Sequence, residues 1–219
     1  MLADRVRMGL KRSSDTIGLL FNTTNIEGRS ESSCYYNGFV YSSGYSGIIE
    51  KFDMKGNKVL TRQVAEGTTN DKLISNIRGA TVNGQDVLLC TTRHAGVLMV
   101  NPKTLVIIEK LSTTKNSEIA FTNNNYALFF DGRNSGTPAF LNLSTGEVGY
   151  NASISLHGYD RYLGNSICRL TTSSLKLYSN PPNFTEGTTV NLTSAVPNNY
   201  HTIATENYYI LTERSLGVK

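Results

Sequence analysis

An asparagine-bearing turn followed by an apolar strand recurs along the chain at a nearly constant step. Asn37-Gly38 precedes Phe39-Val40-Tyr41, and Asn83-Gly84 precedes the run from Asp86 to Thr92. Asn124-Asn125 precedes Tyr126 to Phe130, Asn165 precedes Ser166 to Leu170, and Asn207 precedes Tyr208 to Leu211. The markers at 37, 83, 124, 165 and 207 are separated by 46, 41, 41 and 42 residues. A fixed period of this size signals a repeat architecture, in which each unit hides its apolar faces against its neighbours. Asn and Gly tolerate the positive φ that tight hairpins need, so each marker is a turn between antiparallel strands.

Two more turns fall in register behind each marker. The second reads Gly44-Tyr45-Ser46-Gly47, then Arg93 to Gly96, Arg133 to Gly136 and Arg214 to Gly217, with only Thr171 to Ser174 in the fourth unit. The third reads Asp53 to Gly56, Asn101 to Thr104 and Asn142 to Gly146. Each unit is therefore predicted to hold four short strands and three turns. Such a meander cannot bury both faces alone, and a radial arrangement covers each sheet with its neighbours. The pattern predicts an all-β chain forming one five-bladed β-propeller over 15–219, with blades at 25–66, 67–112, 113–155, 156–196, and 197–219 completed by 15–24. The strand read at Asp15 to Asn22 is expected to close the ring by pairing in the last blade, near Tyr208 to Leu211, which removes an open sheet edge. A ten-stranded β-sandwich is the rival fold, but it leaves the constant step unexplained.

Composition agrees with many turns. The 219 residues include 22 Asn, 21 Ser and 24 Thr beside 19 Gly, and only 17% are charged. Twelve Tyr and eight Phe argue against disorder. The net charge of +4 is concentrated at the start, where Arg5, Arg7, Lys11 and Arg12 oppose Asp4. Residues 1–14 are read as a basic arm outside the disc that contacts a partner chain, and as the one place where nucleic acid would be touched. No apolar run reaches membrane-span length, so no membrane insertion is expected, nor is a secretory signal visible. Cys34, Cys90 and Cys168 lie in apolar runs with no metal-ligand spacing and read as small buried hydrophobes. The five N-x-S/T sequons are about what this composition gives by chance.

The run Leu141-Asn142-Leu143-Ser144-Thr145-Gly146-Glu147-Val148, and more loosely Ile49 to Val59, resembles the turn of PQQ-like and related propeller repeats. The resemblance implies architecture and no chemistry. Ala3-Asp4-Arg5-Val6, followed by Ser/Thr-rich sequence and an apolar strand, resembles the opening of some bacteriophage tail and virion proteins. That resemblance implies a virion structural protein, made in the bacterial host cytoplasm and present in several copies.

Nucleotide-binding and common hydrolase motifs are absent from the sequence, and no cofactor or metal is expected. Propeller geometry places the first strand of each blade around a channel. Six residues before each marker stand Glu31, Ile77, Glu118, Tyr159 and His201, with Asp160 adjacent. Glu31, Glu118, Tyr159 and His201 form the expected channel ring. If the chain is a glycosidase, Glu31, Glu118 and Asp160 supply the carboxylates. Arg93, Arg133 and Arg214, with Tyr45 in the first unit, form an expected binding rim that suits an acidic partner surface. The sequence is read as a binding or assembly module docking to another virion protein or a host surface glycan. A lectin-type propeller and a propeller glycosidase are the alternatives.

Overall fold

The computed structural model describes residues 8–13, 16–21, 30–94, 96–112, 118–121, 125–130, 137–150, 161–163, 166–170, 173–179, 181–191, 200–204 and 209–213. Strands dominate. β1 (Met8–Ser13) and β2 (Thr16–Phe21) form a hairpin. Four antiparallel meanders follow, each in simple chain order. The first contains β3 (Ser30–Tyr36), β4 (Phe39–Gly44), β5 (Ile48–Phe52) and β6 (Lys58–Gln63). A four-residue helix, α1 (Thr69–Lys72), precedes the second, which contains β7 (Ile74–Val82), β8 (Gln85–Thr92), β9 (Gly96–Val100) and β10 (Ile107–Ser112). The third contains β11 (Glu118–Phe121), β12 (Tyr126–Phe130), β13 (Ala139–Asn142) and β14 (Val148–Tyr150). The fourth contains β15 (Arg161–Leu163), β16 (Ser166–Leu170), β17 (Ser174–Ser179) and β18 (Glu186–Asn191). A last hairpin joins β19 (Tyr200–Ala204) to β20 (Tyr209–Glu213). The chain divides into two compact units, Met1–Ile119 and Ala120–Lys219.

The turn chemistry explains the meanders. Asn37 and Gly38 have φ of 47° and 83°, and Asn83 and Gly84 have 47° and 76°. Two successive positive φ values match the right-handed twist of the flanking strands, which is why Asn-Gly stands there. The third turn is built by a side chain. Asp53 Oδ1 accepts from the amides of Lys55 and Asn57 at 2.8 and 2.9 Å, and Asn101 Oδ1 from those of Lys103 and Thr104 at 2.8 and 3.2 Å. Asn142 Oδ1 does the same for Ser144 and Thr145, at 2.9 and 3.3 Å. A left-handed residue ends each turn: Gly56, Leu105, Gly146 and, in the fourth sheet, Phe184. Leu105 and Phe184 adopt a conformation that disfavours side chains, and both are buried, at 0% and 2% exposure. Burial of a large apolar side chain offsets that local strain.

The second and third strands of the first two sheets are covered on both faces. In β5 the neighbours Glu50 and Lys51 point to opposite faces, yet they are only 2% and 7% exposed. One core in the first unit draws on both sheets: Tyr41 and Ile49 from the first pack with Ile74, Ile77, Leu88 and Cys90 from the second. The second unit has its own cluster of Leu128, Phe130, Ile167, Tyr178 and Phe184. The outermost strands are exposed, and β10 and β18 carry register shifts where they pair inward. Such bulges blunt an open edge against stray pairing.

Several expectations need correction. The chain is all-β, but its four-stranded sheets are separate, and none closes on itself. The likeness to PQQ-like repeats fails as a sign of family, because a side-chain-capped turn ending in a left-handed residue is local chemistry open to any hairpin. The N-terminal likeness to phage tail and virion proteins fails as well. The segment from Met8 forms an ordinary hairpin, with Ser13 opposite Thr16 and Arg12 opposite Ile17. The β2 strand was expected to join the last unit, whereas it pairs with β1 in a two-stranded sheet, as β19 does with β20.

Candidate binding groove

The third turn of the second sheet shapes one wall of an open groove in the first unit. Leu105 N donates to Asn101 O at 2.8 Å, and its left-handed φ of 56° turns its side chain into the core. Val106 and Ile107 then emerge on the surface, 45% and 42% exposed. The opposite wall is the segment after β6. Val64 N and Ala65 N both donate to Gly47 O, at 2.9 and 3.0 Å, so the chain folds back over that turn. A Cβ on Gly47, whose φ is 76°, would overlap the Ala65 carbonyl. Arg62 Nη1 ties the walls together by donating to Thr104 O at 3.0 Å.

The groove encloses about 490 Å³, within the range of small-ligand and side-chain sites. Val64, Ala65, Leu98 and Leu105 form its floor, and Arg62, Glu66 and Asp71 stand on its rim. Asp71 is fixed from α1, where its Oδ2 accepts from Thr68 N at 3.1 Å. Hydrogen bonds from Thr68 hold its carboxyl below the ordinary carboxylate range. An apolar floor with charged groups of both signs at the lip suits a ligand with an apolar body and polar flanks.

A second junction joins the same two sheets. Lys51 Nζ and Tyr41 Oη both donate to Pro102 O at 3.0 Å, and the ammonium sits 3.9 Å from the Phe39 ring centroid. Burial, with a lesser push from Lys103, lowers the Lys51 ammonium below its ordinary value. The aromatic ring and the carbonyl replace the water that the charge has lost.

The residues expected from sequence fall in several places. Glu31 is exposed in β3. Glu118 Oε2 in β11 accepts from Asn76 Nδ2 at 3.0 Å, while Ile77 is fully buried in the core. Ile77 N donates to Ser32 Oγ at 3.2 Å, so β3, β7 and β11 are stitched by side chains. In the second sheet the buried polar residue of β7 is Asn76, one place from the expected position. Arg93 is half-buried, and its Nη1 donates to Asn70 Oδ1 of α1 at 2.9 Å. Tyr45 is half-buried in the Gly44–Gly47 turn. Lys11 and Arg12 lie in β1 and His201 in β19, where backbone register alone is described. Arg5, Arg7, Arg133, Tyr159, Asp160 and Arg214 lie outside the described residues. Among the described residues no cluster of three or more His, Cys, Asp or Glu is placed to hold a metal, and no helix is long and apolar enough to cross a membrane.

Sequence reasoning missed the groove and the Lys51 junction. One signal was present: Leu105 stands where the comparable turns carry Gly56 and Gly146.

No known family matches this chain by sequence, and no curated protein does. Among solved structures it is similar to the computationally designed protein Ika4, with 12% identity and a TM-score of 0.46 over 77% of this chain and 92% of that one. It is also similar to the designed protein Ika8, with 11% identity and a TM-score of 0.48 over 90% of this chain and 72% of that one. Neither likeness assigns a family or a function, and the PQQ-like and phage-protein resemblances gain no support from them.

Proposed function

We propose that this chain is a non-enzymatic binding and assembly module, a closed ring of five blades, four of them the four-stranded sheets and the fifth made by the two terminal hairpins, that docks a partner protein. The open groove between Arg62–Glu66 and Leu105–Ile107 carries the reading, because it exposes aliphatic side chains above an apolar floor and inside a charged rim. Contiguous exposed apolar surface of that kind marks interaction sites. The 41- to 46-residue step and the side-chain stitching of β3, β7 and β11 support the ring. Turn-rich, cysteine-poor composition supports a virion as its setting.

The test places a photo-crosslinking residue at Val106 in the assembled native particle, with Val59, also exposed, as the control. A protein adduct at 106 and none at 59 supports docking through the groove. Equal yields at both positions refute it. Selective binding on a glycan array without any protein adduct replaces this reading with a lectin.

A further inference from the structure

The Lys51 junction has a counterpart in the second unit, and its centre is open. In the first sheet Val40 pairs with Phe52, and Lys51 with Leu60. In the third sheet Ala127 pairs with Leu141, and Phe140 with Gly149. Superposing the registers puts Tyr126 where Phe39 stands, Phe140 where Lys51 stands and Gly149 where Leu60 stands. The third turn of the following sheet supplies the facing wall in both cases, through Pro102 in one and Pro182 in the other. In the first unit an ammonium fills this space, over an aromatic ring and against a carbonyl. In the second unit Phe140 takes the lysine's position, and an open cavity of about 430 Å³ lies beside its ring.

The walls of that cavity are suited to the missing charge. Tyr126 and Phe140 meet edge to face, with centroids 5.7 Å apart and planes at 77°, so two ring surfaces at a steep angle line one space. Phe140 is held from behind by Gly149, where a Cβ would overlap the ring. Glu147 stands on the lining, and its Oε2 accepts from Thr145 Oγ1 at 3.3 Å, which fixes a carboxylate beside the rings. Among the described residues the lining carries no cationic side chain. Aromatic faces set at an angle, with an anion nearby, bind organic ammonium ions through the ring quadrupoles.

We propose that the Tyr126–Phe140–Glu147 cavity binds an organic ammonium ion, the chemistry that Lys51 supplies internally in the first unit. A lysine side chain and a quaternary ammonium headgroup are the two sources. The probes are butylammonium for the first, choline for the second, and 3,3-dimethylbutan-1-ol as the neutral isostere of choline. Each is titrated into the full chain while the amide resonances of Val148 and Gly149 are followed. At least one cation is expected to saturate these shifts in the low millimolar range, about tenfold more tightly than the neutral isostere. Whichever cation binds more tightly identifies the source. Glu147→Gln leaves the melting temperature in place and weakens the cation several-fold without affecting the isostere. Tyr126→Leu keeps the apolar volume and abolishes the preference for charge. Equal affinity for cation and isostere, tighter binding of a neutral hexose, or no shift with either cation up to about 100 mM overturns the proposal.

Discussion

Gly79→Ala is predicted to destabilise the first unit, against the usual sign for such a change. Gly79 lies in the middle of β7, outside the left-handed region, so alanine fits its backbone. On chain entropy alone the substitution stabilises by about 0.4–1 kcal/mol. The structure reverses this, because a Cβ there would overlap Cβ, Cγ and Cδ2 of Tyr36, the last residue of β3. The Tyr36 hydroxyl is anchored on the far side, its one proton shared between Ala80 O at 2.8 Å and Asp86 Oδ1 at 2.7 Å. The ring has to move. Overpacking of this kind costs about 1–3 kcal/mol, and release of the hydroxyl costs about 1 kcal/mol more. The net loss is about 2–3 kcal/mol after the entropy gain. At a urea m-value of about 2 kcal/mol/M the midpoint falls by about 1 M. A double-mutant cycle isolates the cause: in a Tyr36→Ala background the same change at Gly79 is neutral or stabilising. A rise in the midpoint for the single mutant, or an equal loss in both backgrounds, refutes the packing of the first two sheets described above.

Gly149→Ala is likewise expected to cost about 1–3 kcal/mol in a urea melt, because Phe140 covers the Gly149 backbone across the β13–β14 pair. All three cysteines are buried thiols outside any disulfide, and burial pushes the Cys34 thiol up to about 11 and Cys90 well above its ordinary value. A thiol reagent at pH 8 is therefore expected to leave the native chain unlabelled and to modify three groups once urea unfolds it. Lys51 gives a pH signature. Its folded ammonium is held below 10.5, so the unfolded chain binds that proton more tightly, and the penalty is full at neutral pH. Stability from this group therefore rises as pH climbs from the folded value towards 10.5, and Lys51→Met is expected to remove that rise in melts between pH 8 and pH 11.

Local chemistry was the legible part. Asn37-Gly38 and Asn83-Gly84 announced their hairpins, and Asp53, Asn101 and Asn142 their capped turns, because one side chain and one backbone angle decide each. The fourth such turn, from Ser179 to Phe184, gave no comparable cue, since a buried Phe takes the place of glycine there. Counting back from the turns missed Asn76 by one residue. The count fixes distance along a strand but not which side chain leaves the core, and β7 is nine residues long where β3 has seven. The Arg93 repeat was visible, but its partner Asn70 sits on a helix that the repeat does not contain. In Ile48 to Phe52 the charged pair Glu50-Lys51 carries no sign of burial in the sequence. Cover on both faces buries both residues and creates the Lys51 junction, which no single strand could reveal.

The central proposal is that the repeats close into one five-bladed ring. Double electron–electron resonance between spin labels at Ser13→Cys in β1 and Thr212→Cys in β20 tests it directly, since the three native thiols are buried and stay unlabelled. If the two hairpins complete one blade, strand spacing places the labels within about 25 Å of each other. If the sheets form an open stack, five intersheet steps of about 10 Å carry them to about 50 Å, and a single long distance contradicts the ring.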